Sequence, residues 1–256
     1  DVVLEVSNLS LTSKQQVSLL KNINFSIRAG EIVAIAGVSG NGQSELLEVL
    51  SGMRLPSSGN LLMQGKALPF SGRKDADGLP ARFRELGIGH VPEDRLRDAV
   101  IKNFSVMMNS FLGYQKKLGK SFGLLDFKAI LKNCTDLLTK FDVRPADPHL
   151  RIALLSGGNQ QKVVMAREIA ANPKLMLVGQ PTRGVDIGTI ESLHARLLAM
   201  RDAGVAILLV SVELEEVRAL ADRILVMSGG CITGELKAEE FDATRIGLLM
   251  GGLHKT

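Results

Sequence analysis

The chain has 256 residues, of which 45% are hydrophobic, so it is long enough to bury a sizeable core. Its net charge of +4 comes from dispersed lysines and arginines, and it has no tryptophan and one tyrosine, which together argue against a nucleic-acid partner. No apolar run is long enough for a membrane span and no signal-peptide pattern is present, so we expect any link to a membrane to be made through a partner.

The first predicted elements surround a glycine-rich loop. Alternating β-branched residues predict strands at 2–11 and 19–27, and a run that is apolar on both faces predicts a buried strand at 31–37. The apolar spacing that follows the loop predicts a helix ending near Gly52. Strand, glycine-rich loop and helix therefore follow one another in the order that a phosphate-binding loop requires.

Later in the chain, strands and helices alternate. Residues 53–82 are rich in glycine, proline and serine with short β pieces, 86–91 predict a strand, and 103–142 are predicted to be helical. From there the predicted order is a helix at 155–173, a strand at 174–179, a helix at 187–204, a strand at 205–211, a helix at 212–222 and a hairpin at 223–236. The alternation predicts an α/β fold with a mostly parallel sheet.

The glycine-rich loop reads GVSGNGQS and matches the phosphate-binding pattern G-x-x-x-x-G-K-[ST] except at the lysine, which is Gln43. Backbone N–H groups at a helix N-terminus bind phosphate without side-chain charge, and the hydroxyl of Ser44 is a candidate Mg²⁺ ligand. A lysine would add a contact worth roughly 1.5–3 kcal/mol, so we expect nucleotide binding but poor catalysis at this loop. An ordinary strand–helix turn is the alternative. The candidate binding residues are Gly37, Val38, Ser39, Gly40, Asn41, Gly42, Gln43, Ser44 and Glu45.

A second motif, LSGGNQQK, opens the helix predicted at 155–173. Its serine is suited to cap that helix, and its glycines allow a phosphate to approach the backbone closely. The octet resembles the signature sequence of ATP-binding cassette (ABC) ATPases, commonly L-S-G-G-Q-x-Q-R. Together with the upstream phosphate loop and the downstream PTRGVD, the resemblance is highly specific and covers essentially the whole chain. The candidate signature residues are Leu155, Ser156, Gly157, Gly158, Asn159 and Gln160.

The resemblance implies a fold with separate lobes. A RecA-like P-loop core with a mostly parallel sheet and an antiparallel β part would take 1–94 and 173–256, and a helical signature subdomain would take 95–172. In this family two such domains dimerise head to tail. Each ATP with its Mg²⁺ is held between the phosphate loop of one domain and the signature helix of the other.

Several positions depart from the family pattern. Where the family has an Asp–Glu pair that organises Mg²⁺ and acts on the attacking water, this chain has Gly179 and Gln180. Val212 takes the place of the switch histidine, and Glu93 takes the place of the glutamine that joins the two lobes. Asp186 keeps the aspartate of the loop that follows the strand. With Gln43, these departures predict a degenerate catalytic face, and the adenine-stacking aromatic is also missing from 12–16.

The signature octet is nearly complete, so the resemblance implies a division of labour. We expect this domain to complete the site of a competent partner through its signature, with ATP hydrolysis weak or absent when it is alone. The acidic and basic residues of VPEDR at 91–95 are either surface charges or a link to a membrane partner.

The segments GNGQSEL, VPEDR and QPTRGVDIGTIE are similar in sequence to segments of a group of tandem ATPases, in the second half of each. These ATPases serve bacterial importers of monosaccharides and, more closely, of nucleosides. The expected partners are the first half of the same polypeptide and transmembrane permease subunits at the cytoplasmic face of the membrane, with no direct nucleic-acid contact. The start at Asp1, without methionine, fits a segment of a longer chain, although a trimmed terminus would look the same. Two alternatives remain: a non-hydrolysing regulatory nucleotide-binding module, and a soluble relative acting on ribosomes or nucleic acid.

Overall fold

The computed structural model describes residues 1–70, 76–115 and 125–252. Its strands are β1 (Val2–Thr12), β2 (Ser18–Arg28), β3 (Ile32–Ala36), β4 (Ser58–Met63), β5 (Lys66–Ala67), β6 (Ile88–Val91), β7 (Leu175–Gly179), β8 (Ala206–Ser211), β9 (Arg223–Ser228) and β10 (Cys231–Lys237). Its α-helices are α1 (Gln43–Leu50), α2 (Leu79–Glu85), α3 (Arg95–Asp98), α4 (Val106–Ser110), α5 (Phe127–Lys140), α6 (Gly157–Ala170), α7 (Ile187–Asp202), α8 (Leu214–Leu220) and α9 (Ala243–Met250).

The chain divides into two compact units. The first takes the described residues of Asp1–His90, Lys174–Gln180 and His194–Thr256, and the second takes those of Val91–Pro173 and Pro181–Leu193. The second unit therefore includes the segment that follows β7 as well as the helical part. The domain bounds predicted from the sequence, 1–94 with 173–256 against 95–172, stay a prediction.

The larger sheet of the structure has six strands in the order β10-β9-β3-β8-β7-β6. The pairs β3–β8, β3–β9 and β7–β8 are parallel, and β9–β10 is antiparallel. Every residue of β3, β7 and β8 is buried, because a parallel sheet covered on both faces needs apolar side chains on both sides. The sequence predicts β3 from that pattern, and it predicts β7 and β8 as strands that alternate with helices.

A smaller antiparallel sheet lies in the first unit and has the order β2-β1-β4-β5. The hydrophobic core of this unit draws on both sheets and on α1 and α2, and Phe70 packs edge-to-face on Phe83 with 5.4 Å between ring centroids. An α/β fold with a mostly parallel sheet, an antiparallel β part and a helical part is therefore confirmed.

The second unit is built mainly from helices whose first turns are capped by side chains. Asp94, Ser105, Asp126 and Ser156 each accept a hydrogen bond from the first turn of the helix that follows. The helical prediction for 103–142 holds only for α4 and α5. Residues 111–113 form a turn, and 116–124 lie outside the described residues.

A buried polar network holds the interior of this unit together. The guanidinium of Arg167 donates to the carbonyls of Ala99 and Asn109, at 2.9 and 3.2 Å, and to a carboxylate oxygen of Glu168 at 2.8 Å. The hydroxyl of Tyr114 donates to the other oxygen of Glu168 at 2.5 Å. Because each charge has a partner, the network ties α6 to the segment before it without an unpaired buried ion.

Across the part of the chain that the structure describes, no helix is long and apolar enough to span a bilayer.

Candidate nucleotide-binding site

The glycine-rich loop joins the carboxyl end of β3 to the start of α1. β3 lies between β8 and β9, so the loop leaves the middle of the parallel sheet, where α/β folds place their ligand sites. Gly42 precedes α1 with a φ of 104°, and a β-carbon there would lie 2.9 Å from the carbonyl oxygen of Leu19. Only glycine fits this position without strain, so the predicted loop geometry has a steric cause.

The side chain of Gln43 bonds to the backbone of its own loop. Its Oε1 accepts from the N–H of Asn41 at 3.1 Å, and its Nε2 donates to the carbonyl of Val38 at 3.1 Å. The side chain is buried, and Gly37 leaves room for it, since a β-carbon at Gly37 would clash with Nε2. The sequence predicted the loss of a cation here, whereas the structure adds that the neutral amide occupies two backbone groups of the loop.

Asn41 fixes the loop to the turn between β9 and β10. Its Nδ2 donates to the carbonyl of Val38 at 3.0 Å, and its Oδ1 accepts from the N–H of Gly229 at 2.8 Å. The N–H of Gly230 donates to the carbonyl of Asn41 at 3.1 Å. The side chain of Asn41 therefore has a structural part in the loop, and Gly229 and Gly230 support the site. The sequence analysis predicts only a hairpin at 223–236, the segment that contains this glycine pair.

One side of this loop is open to solvent. Val38, Ser39 and Gly40 are exposed, and a β-carbon at Gly40 would meet nothing within 4 Å. The eight-residue helix α1 starts here with Gly42 at its N-cap, and a glycine has no side chain to cap the N–H groups of the first turn. Backbone amides at such a helix end bind phosphate, and the amide of Asn41 becomes accessible only when Gln43 moves.

Magnesium would find few protein ligands beside the loop. Ser44 is exposed and carries a hydroxyl, while the position of the family's aspartate, Gly179, has no side chain. Among the residues with described positions, no group of three or more His, Cys, Asp or Glu side chains could hold a metal ion. Since Mg²⁺ commonly takes few protein ligands together with phosphate oxygens and water, the Ser44 hydroxyl is compatible with an ion that arrives with the nucleotide.

Two of the departures from the family pattern contact each other. Gln180 follows β7 with a φ of 46°, and its backbone N–H donates to the carbonyl of Val210 at 2.8 Å. Its side-chain Oε1 accepts from the N–H of Val212 at 3.3 Å. The adjacent parallel strands β7 and β8 bring these residues together. An amide can orient a water molecule by hydrogen bonding but cannot take its proton, so this pair has no general base.

The signature turn lies at the start of α6 in the second unit. The Oγ of Ser156 accepts from the backbone N–H of Asn159 at 3.3 Å and from its Nδ2 at 2.9 Å. Gln160 points inward instead: it is 7% exposed, and its Nε2 donates to the carbonyls of Ile152 and Leu155. Among the predicted signature residues, Ser156 is exposed, Gly157 and Asn159 are partly buried, and Leu155, Gly158 and Gln160 are buried.

Asp186 lies directly against the signature turn. Its Oδ1 accepts from the backbone N–H of Thr189 and its Oδ2 from the hydroxyl, both at 2.9 Å, and these bonds lower the pKa of the Asp186 carboxyl. A β-carbon on Gly158 would lie 2.9 Å from that Oδ2. The structure thus brings Asp186 and the signature glycines together within the second unit, where Glu93 is partly buried. The phosphate loop, Gln180 and Val212 belong to the first unit.

Comparison with known proteins gives matches over nearly the whole chain. Residues 20–183 match the family model described as ABC transporter. The chain is 40% identical over 251 residues to the guanosine import ATP-binding protein NupO of Bacillus subtilis (strain 168), covering 98% of this chain and 48% of that protein. It is also 40% identical over 253 residues to the nucleoside import ATP-binding protein NupA of Lactococcus lactis subsp. cremoris (strain MG1363), covering 98% and 49%. The chain thus spans about half the length of these curated relatives.

Solved structures show the same fold. The dimeric structure of MJ0796, a bacterial ABC transporter cassette, superimposes with a TM-score of 0.79 at 25% identity, covering 93% of this chain and 100% of that one. A structure of MJ0796 in a post-hydrolysis state, bound to ADP and Pi, matches with the same TM-score of 0.79 and 25% identity over the same shares of both chains, 93% and 100%.

Proposed function

Since this chain belongs to the ABC transporter family, we propose that it binds ATP and pairs with a second cassette domain to drive the uptake of a nucleoside or a monosaccharide. The names of relatives support an importer, because they include guanosine, nucleoside and ribose import ATP-binding proteins. The chain matches about half of each of these relatives, which supports a partner domain within the same polypeptide. The remaining partners are then permease subunits, with this domain at the cytoplasmic face of the membrane.

We further propose that this domain completes its partner's catalytic site more effectively than its own. The observation that carries this proposal is the difference between its two phosphate-binding motifs. Gln43 is buried and bonds the backbone of its own loop, whereas Ser156 is exposed at the N-terminus of α6, and its hydroxyl, whose oxygen accepts from Asn159, has a proton that it can donate. The second motif retains the hydroxyl and the backbone groups that bind phosphate, and the first has lost its cation.

Bound ATP supplies the triphosphate whose cleavage at the competent site would allow the paired domains to separate. On this chain, the backbone amides at the start of α1 bind the phosphates of its own nucleotide, and Ser44 offers a hydroxyl to Mg²⁺. Gln180 orients water without accepting a proton, so hydrolysis there is slow. Ser156, Gly157 and Gly158 bind the terminal phosphate held by the partner's loop and so complete the partner's site.

The test compares ATP hydrolysis by this chain alone, by its partner domain alone and by the two mixed. We expect turnover to rise on mixing and to fall when the chain carries Ser156→Ala. Ser105→Ala is a matched control because Ser105 also caps a helix of the same unit, accepting from the N–H of Met108 at 3.2 Å. Each substitution removes a cap worth about 1 kcal/mol, so equal losses of turnover would show a stability effect only. Full turnover by this chain alone would contradict the proposal, and activity that depends on added RNA or DNA would favour a soluble relative that acts on nucleic acid.

A further inference from the structure

One arginine of the VPEDR segment touches both neighbouring loops of the second unit. The Nη1 of Arg95 donates to the carbonyl of Arg183 at 3.0 Å. Its other terminal nitrogen faces the signature turn, because a β-carbon placed on Gly157 would lie 2.5 Å from Nη2 and 2.9 Å from the carbonyl oxygen of Gly184. A single guanidinium thus spans the loop that leads to Asp186 and the turn that begins α6.

The position is electrostatically unfavourable for a cation. Burial lowers the pKa of Arg95, Asp94 opposes that shift, and the nearby charge of Arg183 adds to it. The side chain also lies at the positive end of the α6 dipole, which disfavours cations. Its Nε is buried without a hydrogen-bond partner anywhere in the described ranges. The shape of the Arg95 side chain, and not a net stabilising charge, therefore accounts for this placement.

The planar guanidinium suits a narrow space between two backbones. Gly157 presents no side chain, so a flat group can lie against its backbone while a second nitrogen reaches the Arg183 carbonyl. A lysine ammonium has no such plane and would reach only one of the two segments. At the next residue of the turn, Asp186 and Thr189 lie against Gly158. The turn therefore packs against both Arg95 and the start of α7.

We propose that Arg95 is a positioning residue that holds the signature turn at 156–158 against the loop at 183–186. It sets the geometry that the serine and glycines present to the nucleotide of the partner domain. This last step rests on the proposed function, whereas the holding role concerns the second unit alone. The two parts can be tested separately.

The holding role is tested by hydrogen exchange on the isolated chain. Arg95→Ala removes a hydrogen bond made by a charged donor, so the amides of 157–159 and 184–186 are expected to exchange about 10- to 100-fold faster. Arg95→Lys should give a smaller increase. Arg97→Ala is the matched control, because Arg97 lies two positions further along, is mostly exposed and pairs with Asp98 on the surface. Unchanged exchange in Arg95→Ala would overturn the inference, and where that variant fails to fold, unchanged exchange in Arg95→Lys would do so.

The functional step is tested by turnover of the mixture with the partner domain. We expect Arg95→Ala to lower kcat about tenfold and to leave KM for ATP within about twofold, because the turn acts on the nucleotide after the domains have closed. General destabilisation would reduce the active fraction of both Arg95 variants, so thermal unfolding is recorded beside each assay. Faster exchange with unchanged kcat would support the holding role and contradict the proposed use of the signature turn. An equal effect of Arg97→Ala on kcat would overturn the assignment to Arg95.

Discussion

Replacing Gln43 with alanine is expected to tighten ATP binding by this chain, although the change removes a polar side chain from the phosphate loop. The amide holds the N–H of Asn41 and the carbonyl of Val38, both at 3.1 Å. A phosphate that is to bind the Asn41 amide must first displace the glutamine. Alanine leaves that N–H open to the nucleotide.

The magnitude follows from the number of hydrogen bonds exchanged. Each bond contributes about 0.5–1.5 kcal/mol net, so displacing both costs about 1–3 kcal/mol. A displaced glutamine recovers one such bond by donating to the phosphate, which leaves a net penalty of about 0.5–1.5 kcal/mol. The dissociation constant of Gln43→Ala should therefore be lower than that of the natural chain by about 2- to 12-fold.

The assay is a titration of the isolated chain with a fluorescent ATP analogue, displaced by unlabelled ATP. Asn60→Ala serves as the control, because it removes an amide from an exposed position of β4. It should leave the dissociation constant unchanged. If Gln43→Ala binds ATP more weakly than the natural chain, the glutamine contacts the nucleotide and the view of Gln43 as a competitor for the loop is refuted.

Further predictions concern stability, pH and thiol reactivity. Gly157→Ala should lower the free energy of unfolding by about 1–3 kcal/mol in urea, because its β-carbon would lie 2.9 Å from the backbone carbonyl oxygen of Gly184, whereas Gly247→Ala, with nothing within 4 Å, should not. The pKa of Asp186 is lowered in the folded chain, so its stabilising contribution is present above about pH 4 and is lost as the pH falls through the folded-state pKa. The stability difference between the natural chain and Asp186→Asn should accordingly shrink from about pH 6 to about pH 3, and a constant difference would contradict this. Cys134 is buried with a raised pKa and Cys231 is partly exposed, so a thiol reagent should modify Cys231 first in the native chain, as peptide mass spectrometry would show.

The strands of the large sheet could be predicted because burial on both faces imposes continuous apolar runs. Ile32–Ala36, Leu175–Gly179 and Ala206–Ser211 have this property, and all of them are strands. The sequence analysis does not predict helix α2, because this helix buries too few residues to give a clear apolar pattern. It has only two buried residues, Leu79 and Phe83, and begins with a proline in its first turn, so the sequence offers one apolar repeat within a stretch rich in turn residues.

The sequence motifs predict the location of the candidate site but not the orientation of its side chains. Gln160 belongs to the signature by sequence, yet it is buried and supports backbone carbonyls of the preceding turn. Arg95 lies 88 positions from its partner Arg183, and no local pattern reveals that contact. Spacing along a chain constrains residues on one element, whereas contacts between distant segments depend on the tertiary fold.

The difference between glutamine and lysine in the phosphate loop goes beyond one charge. An ammonium has only donors, so a lysine at position 43 could bind the carbonyl of Val38 but would leave the N–H of Asn41 for a phosphate. The glutamine has an acceptor and donors on one group, and it bonds both backbone groups at once. Gln43→Ala therefore measures the competition for the Asn41 amide, and the further gain in affinity of Gln43→Lys over Gln43→Ala measures the charge, about 1.5–3 kcal/mol. If the Gln43→Ala and Gln43→Lys variants bind ATP with equal affinity, the missing cation does not limit affinity. The occupied Asn41 amide then accounts for the weak ATP binding of the natural loop.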